Sequence, residues 1–224
     1  MVRIMAPDTM TVADYVFQIA RAEITGSLQV AAEDGTNLRE VSPYSLNWDI
    51  EVRAQGYPLT DEDGELITMI EPLFSHQNPT VSVRDWREWA GQEVVYDMDT
   101  SDPSQEVPIF AIGGGDRLAA STLRIGPREG RRFPFEWFGT CWPGIDERSG
   151  LDPFRIVGMI TVPTFTVIFN AEDSAPEEVA SRLLQAHCPM PGLRLRDVRQ
   201  PYATLKEQRL RRLVHATFET DPSV

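Results

Sequence analysis

Residues 44–54, YSLNWDIEVRA, alternate apolar and polar side chains along the whole segment. A period of two places the two sets on opposite faces of a β-strand, whereas a helix would mix them. A strand with one buried and one wet face is typical of an antiparallel sheet. The predicted core residues of this strand are Trp48, Ile50 and Val52, and the predicted solvent-facing residues are Asp49, Glu51 and Arg53.

Further strands and turns are predicted along the rest of the chain. A hairpin is predicted around Asp34-Gly35, and a strand after a turn at residues 61–64, because Pro72 is badly placed in a helix interior. Strands are also predicted on both sides of a turn that carries Trp86 and Trp89, and on both sides of the glycines at 113–115. The remaining predicted strands cover the aromatic segment around residues 133–137, two strands within 155–170, and GLRLRDV at 192–198.

Three segments have the spacing and capping residues of helices. Residues 11–25 place apolar side chains on one helical face after a Thr11 cap, with Gly26 as a stop signal. Ser174 and Glu177 form a capping box that predicts a helix at 174–187, and Thr204 and Glu207 repeat the pattern ahead of a helix at 204–218. The predicted fold class is therefore α+β, mainly antiparallel sheet with about three helices.

The length of 224 residues and the 42% hydrophobic content predict a single compact domain over residues 1–224. The polar segment 97–108, DMDTSDPSQEVP, is the best place for a division into two subdomains. Such a division would separate an acidic N-terminal half, 1–97, from a C-terminal half, 108–224.

The charge is concentrated at the N-terminal end of the chain. The net charge is −13, and residues 1–108 contain 20 acidic and six basic residues, a net charge of −14. A field of this sign repels nucleic acid and attracts basic surfaces. The two cysteines form no disulfide framework, and no secretory signal or membrane span is recognisable, so a cytoplasmic location is expected.

Motifs for catalysis, cofactors and metals are weak. The GGGD sequence at 113–116 lacks the lysine of a phosphate-binding loop, so a hairpin turn is favoured. Neither Cys141 nor Cys188 lies in a nucleophile signature, and both are expected to be unpaired and dispensable for catalysis. The acids at 61–65 lack the spacing of a calcium loop, and an exposed acidic turn is favoured. No catalytic, cofactor or metal site is therefore predicted.

The basic segment at 206–212 lies on the third predicted helix. Lysine and arginine near a helix C-terminus are stabilised by the helix dipole, and this explanation is favoured over nucleic-acid binding. No nucleic-acid partner is expected, and the sequence indicates no oligomeric state.

A recognition surface for a basic protein is the functional hypothesis for this chain. Carboxylates select arginine and lysine on a partner, while aromatic side chains bury apolar area, although Trp86 and Trp89 can equally belong to the core. The predicted function is a non-enzymatic interaction module, most plausibly an immunity-type inhibitor of a bacterial toxin. The alternatives are a hydrolase or transferase with a dispersed active site, and a structural subunit of a phage or secretion assembly. The predicted partner-binding residues are Asp61, Glu62, Asp63, Glu65, Asp85, Trp86, Glu88 and Trp89.

Overall fold

The computed structural model describes residues 8–30, 44–60, 63–99, 107–111, 116–142, 150–162, 164–171, 175–190, 192–206 and 209–221. Strands predominate in these ranges, which contain one α-helix, α1 (Pro176–His187), and one short 3₁₀ helix (Trp86–Trp89). The strands are β1 (Thr9–Val12), β2 (Tyr15–Val30), β3 (Tyr44–Ala54), β4 (Tyr57–Thr60), β5 (Leu66–Ile70), β6 (Leu73–Gln77), β7 (Glu93–Asp97), β8 (Ile109–Ala111), β9 (Asp116–Ile125), β10 (Arg132–Cys141), β11 (Asp152–Thr161), β12 (Thr164–Ala171), β13 (Leu193–Lys206) and β14 (Arg209–Thr220).

The chain divides into two compact units, and both are built from discontinuous segments. The first comprises residues 1–24, 49–82 and 89–161, and the second comprises 25–48, 83–88 and 162–224. The boundaries at 24/25 and 48/49 fall inside β2 and β3. Most of the segment 97–108, where the sequence predicts a division, lies outside the described residues, so a division there stays a prediction.

In the first unit, an antiparallel sheet is built around a cluster of aromatic side chains. Strand β10 pairs with β9 and β11, β1 pairs with β11 and β2, and β9 also pairs with β7 and β8. Phe74 on β6 lies at the centre, with ring centroids 4.4 Å from Phe110, 4.6 Å from Phe154 and 5.8 Å from Trp137. Large rings from several strands thus form one core, because each strand points every second side chain inward.

In the second unit, β2 lies parallel to β12, and β12 and β13 flank β14 in antiparallel pairs. Helix α1 contacts β12, β13 and β14 and buries Ala180, Leu183 and Leu184. Trp48 packs edge-to-face on Phe165, with ring centroids 5.8 Å apart, and its indole N–H donates to the Val83 carbonyl at 2.9 Å. The indole thus fills the core and satisfies its polar group there.

The strand predicted at 44–54 is confirmed with both of its bounds. Trp48, Ile50 and Val52 are buried, and the intervening Asp49 is exposed, while Glu51 and Arg53 are half-exposed and form an ion pair at 3.4 Å. Most of the other predicted strands are also confirmed, including the aromatic strand β10 and the pair β11 and β12. The segment before Trp86 forms no strand, and the hairpin at Asp34-Gly35 and the glycine loop at 113–115 lie outside the described residues.

The α+β prediction with three helices is wrong, because the first and third predicted helices are strands. Residues 11–25 belong to β1 and β2, which are joined by a two-residue turn at Ala13 and Asp14. The chain reverses at that turn, so the residues after it do not continue a helical face. Val16, predicted to be buried, is therefore 58% exposed. From Ala22 to Val30, alternate residues of β2 are buried, as expected for a pleated strand.

The third predicted helix, at 204–218, spans the end of β13 and most of β14. Val214, Ala216 and Phe218 are buried in alternation. The sequence favoured a helix over this spacing of two, because Leu210, Leu213 and Val214 also fit one helical face. Pairing with β12 and β13 decides the outcome, because tertiary hydrogen bonding outweighs a weak local propensity.

The helix predicted at 174–187 is confirmed as α1, but its predicted cap is wrong. Residue 175, an alanine, occupies the N-cap position with φ 75°, and it makes no side-chain capping bond. Pro176 follows in the first turn, where a missing backbone N–H costs little. Ser174 lies outside the described residues. Within those residues, no helix is long and apolar enough to cross a bilayer.

Candidate protein interaction site

Strands β4 and β5 form a hairpin that is separate from the main sheet. Tyr57 lies opposite Ile70 and Thr60 opposite Leu66, and among the described strands these two pair with each other alone. Gly64 lies in the connecting turn with φ 83°, a conformation that glycine adopts without a steric penalty. Asp63, Gly64 and Glu65 therefore lie at the tip of a two-stranded arm in the first unit, in agreement with the predicted turn and the strand after it.

The arm exposes large apolar side chains. Leu66 is 60% exposed, Ile67 66% and Met69 53%. Successive residues of a strand point to opposite faces, so Leu66 and Ile67 present apolar surface on both sides of β5. A two-stranded hairpin is only marginally stable by itself in water, and clustered exposed apolar groups commonly mark interaction sites. This hairpin therefore has the composition of a surface that a partner covers.

The base of the hairpin is anchored by aromatic contacts within the first unit. The Tyr57 ring lies edge-on to Phe17 at 5.4 Å and to Tyr15 at 6.5 Å between centroids. Ile70, which lies opposite Tyr57 in the hairpin register, is only 6% exposed. The hairpin is thus packed at its base, while the exposed apolar side chains lie farther along β5.

Carboxylates border these apolar side chains. Asp63, Glu65 and Glu71 are exposed, and Asp61 and Glu62 lie outside the described residues. Over residues 57–71 the sequence contains five acids and no base. Apolar contact area flanked by a single sign of charge suits a partner that presents arginine or lysine around its own apolar patch.

The other predicted carboxylates, Asp85 and Glu88, are held by the backbone of the 3₁₀ helix. Asp85 accepts hydrogen bonds from the Arg87 backbone N–H at 2.9 Å and from the Arg87 guanidinium, Nη2 lying 2.9 Å from Oδ2. Glu88 Oε2 accepts the backbone N–H of Arg84 at 2.7 Å and that of Asp85 at 3.3 Å. These bonds cap the N-terminal turn, so the two acids have a structural role.

The two tryptophans predicted as surface anchors lie in the core. Trp86 is 1% exposed and Trp89 is fully buried. The sequence left this alternative open, because tryptophan at a spacing of three suits both a core and an interface. The two indoles therefore present no exposed surface, whereas Asp63 and Glu65 of the predicted set are exposed, and the partner-binding role of the set stays a prediction.

Sequence reasoning missed the apolar part of this site. The sequence predicted a strand after the turn, but it gave no indication that Leu66, Ile67 and Met69 on that strand are exposed, because apolar residues are usually buried. One sequence signal could have indicated this exposure. In ELITMIE, residues 65–71, adjacent apolar residues occupy both faces of a short strand that is bounded by acids. Such a strand needs cover on both faces, and the described part of the chain leaves Leu66, Ile67 and Met69 exposed.

The thiols lie away from solvent and form no disulfide. Cys141 is fully buried, and Cys188 is 2% exposed. The Cys188 thiol donates to the Arg84 carbonyl at 2.9 Å. Burial, with a smaller effect of Asp85 and Glu88, raises the pKa of Cys188 to about 11. The expectation that the cysteines form no disulfide is confirmed, and their dispensability stays a prediction. In the described part of the chain, no three His, Cys, Asp or Glu side chains are grouped to hold a metal ion.

Comparison of the chain with family models, curated proteins and solved structures finds no match.

Proposed function

We propose that this protein is a non-enzymatic interaction module that binds a basic protein through the β4–β5 hairpin. The observation that carries the proposal is the combination on one arm of exposed Leu66, Ile67 and Met69 with exposed carboxylates. Apolar groups supply contact free energy, and charges supply selectivity. Either feature alone is common on protein surfaces.

The size of the exposed apolar side chains supports contact with a protein. Burying one large aliphatic side chain contributes about 1.5–3 kcal/mol of transfer free energy. Three such side chains on the arm can act as the centre of an interface, since a few buried residues usually carry most of the binding free energy. The anchored base limits the conformational entropy that binding would cost.

The sign of the charge supports a basic partner. The arm has five acids and no base, and the surrounding N-terminal half has a net charge of −14. Complementary charge accelerates encounter and disfavours acidic competitors. The same field disfavours nucleic acid, which remains excluded from the proposal.

The biological role in this proposal is inhibition of a toxic enzyme, by analogy with the immunity proteins of bacterial toxins. An acidic inhibitor that acts before the toxin leaves its producer would work in the cytoplasm. The analogy concerns charge and size and is independent of fold. A direct consequence is that the captured partner should be toxic when expressed alone and harmless when co-expressed with this chain.

Affinity capture from the native host tests the proposal, with the double variant Ile67→Ser/Met69→Ser beside the wild type. We expect the wild type to retain one stoichiometric partner with a basic isoelectric point, and the variant to lose it. The matched control is Val95→Ser, which removes an apolar side chain that is 57% exposed on β7 and should keep the partner. Growth rescue on co-expression then tests inhibition.

Two results would contradict the proposal. One is a captured partner that binds the wild type, the double variant and the control equally, which would place the interface elsewhere. The other is a substrate turned over by the isolated chain, which would favour the enzymatic alternative. Circular dichroism of each variant verifies that the fold is retained, because both hairpin positions are more than half exposed and neither substitution should disturb a core.

A further inference from the structure

A groove lies on the first unit at strands β1, β9, β10 and β11, away from the β4–β5 hairpin in sequence. Its volume is about 510 Å³, which is in the range of small-molecule sites. Ala13, Phe138 and Pro153 contribute apolar surface, and Arg124, Glu136 and Arg155 contribute charge. The groove therefore combines an apolar floor with a few polar groups.

The floor follows from the alternation along β10. Phe135 and Trp137 point into the core, so Phe138 is directed to the opposite face, where it is half-buried. In the sheet register Phe138 lies opposite Thr122 on β9 and Arg155 on β11. Phe138 thus places an aromatic ring on the groove face of the sheet, beside Arg124, Arg155 and Glu136, where it can pack against a ligand.

The charges form a ladder across four strands. Glu93 on β7 lies opposite Arg124 on β9, which lies opposite Glu136 on β10. Arg124 Nε donates to Glu93 at 2.7 Å, and Arg155 Nε on β11 donates to Glu136 at 2.8 Å. The Arg124 guanidinium carbon is also 5.1 Å from the centroid of the Phe138 ring. The order across the sheet is negative, positive, negative, positive.

Arg155 is the last residue of this ladder, so the β11 end of the groove carries a positive charge. Its register neighbours, Phe138 and Thr11, are uncharged. The bond to Glu136 uses Nε, so the two Nη groups provide the planar donor pair that suits a carboxylate or sulfonate. The Arg155 guanidinium would repel a cationic ligand at this end of the groove. An anionic ligand could accept hydrogen bonds from its Nη groups while its apolar part lies on the floor.

We propose that this groove binds a small organic anion with an aromatic or aliphatic body. The body packs against Phe138 and Pro153, and the anionic group accepts hydrogen bonds from Nη of Arg155. Arg124, over the edge of the same floor, disfavours cationic ligands. This site is independent of the β4–β5 hairpin and of the basic partner proposed for it.

A fluorescence titration of the full chain with 8-anilinonaphthalene-1-sulfonate tests the proposal. We expect one saturable site, and about a tenfold weaker Kd for Arg155→Gln, the size expected for loss of a charged hydrogen bond. Phe138→Ser should weaken binding to a similar degree. Competition by 2-naphthoate should succeed, and competition by neutral 2-naphthalenemethanol should need a much higher concentration.

Two matched controls separate this groove from other surfaces. Arg53→Gln removes an exposed arginine that is also paired with a glutamate, and it should leave the Kd unchanged. Ile67→Ser should likewise have no effect, because it alters the hairpin. Unchanged binding in Arg155→Gln, loss of binding in Ile67→Ser, or equal competition by the neutral alcohol would each overturn the proposal. Thermal melting verifies that Phe138→Ser is folded. If Phe138→Ser does not fold, the test rests on Arg155→Gln, which changes an exposed position.

Discussion

Gly26 is the residue whose role changed most between sequence and structure. The sequence assigned it to the end of a helix, yet it lies within β2, where it is buried. A Cβ at this position would lie 2.4 Å from Phe165 Cδ2 and 2.6 Å from Trp48 Cζ3. Glycine is therefore required by the close approach of two aromatic rings, and its conformational freedom has no part in this requirement.

The first prediction follows from this contact. Gly26→Ala should lower the free energy of unfolding by about 1–3 kcal/mol, because an overpacked core forces rings and backbone to shift. Urea denaturation followed by tryptophan fluorescence measures the change. Gly150→Ala is the control, since nothing lies near its Cβ position and its stability should be nearly unchanged. Equal stability of both variants would contradict the packing account.

The second prediction concerns Cys188 and pH. Its pKa rises from 9.0 to about 11 on folding, so the unfolded chain loses this proton first as pH increases. The contribution of the thiol to stability is complete below pH 9.0 and is lost as pH rises toward about 11. In a Cys141→Ser background, Cys188 should react with Ellman's reagent at least about a hundredfold more slowly when folded than in urea.

The measurement is the reaction rate between pH 7 and 9, with and without urea. Above pH 9.0 the free energy of unfolding of the Cys141→Ser protein should fall as pH rises. Adding Cys188→Ala in the same background should remove the part of this fall that is due to the thiol. A folded thiol that reacts as fast as the unfolded one would show that the site opens readily and that burial does not protect it.

At the scale of elements, α1 is held by packing more than by its cap. Its N-cap, Ala175, has a left-handed φ of 75° and provides no capping oxygen. Alanine is among the poorest residues at this position, and the left-handed conformation costs an L-residue about 1–2 kcal/mol. The buried face of Ala180, Leu183 and Leu184 compensates for this start.

The third prediction compares one substitution at two places in this helix. Ala175→Gly should raise the free energy of unfolding by up to about 1 kcal/mol, because glycine adopts a positive φ without strain. Ala186→Gly, at an exposed position inside α1, should lower it by about 1 kcal/mol, because glycine is a poor helix former. Thermal unfolding of both variants measures the difference. Destabilisation by both would mean that Ala175 is not strained in solution.

Among the strands, the β4–β5 hairpin differs from the rest because it contributes little to a core. β3, β6 and β10 each bury alternate side chains, whereas four of the five residues of β5 are exposed. Strands with buried faces have their register determined by the fold itself. The exposed face of β5 is instead available for contact with a partner, which agrees with the proposed role.

For the whole molecule, charge is the property that most affects association. The net charge of −13 arises from the N-terminal half. Long-range attraction of a basic partner acts mainly on the rate of encounter, and it is screened over about 10 Å at 0.1 M salt.

The fourth prediction tests this effect. The triple variant Asp61→Lys/Asp63→Lys/Glu65→Lys should bind the captured partner with a markedly lower association rate, while thermal stability changes little. Raising the salt concentration should lower the wild-type rate and reduce the difference between the two proteins. Surface plasmon resonance at several salt concentrations measures both effects.

The control for the fourth prediction has the same change in net charge at other exposed acids, in Glu129→Lys/Glu177→Lys/Glu178→Lys. Its association rate should fall less, because those acids are not part of the hairpin. Equal slowing of both triple variants would mean that only net charge matters and that the hairpin is not the docking site. Loss of folding in the hairpin variant alone would show that these acids are structural.

The sequence by itself determined the features that depend on local alternation and on charge. The strand at 44–54, the aromatic strand, the acidic turn and the exposed position of its described acids follow from side-chain periodicity and from turn chemistry. The α1 helix also follows from its own apolar spacing. These features need only the geometry of one element, which short segments specify.

Only the tertiary structure decided what depends on neighbours distant in sequence. Residues 11–25 and 204–218 fit a helical face, but the described residues of these two segments lie mainly in strands, because β11, β12 and β13 supply hydrogen-bonding partners for them. The burial of Trp86 and Trp89 and the exposure of Leu66, Ile67 and Met69 were likewise decided by which strands cover each face. Apolar residues have the same local pattern in a core and at an interface, and long-range pairing alone distinguishes the two.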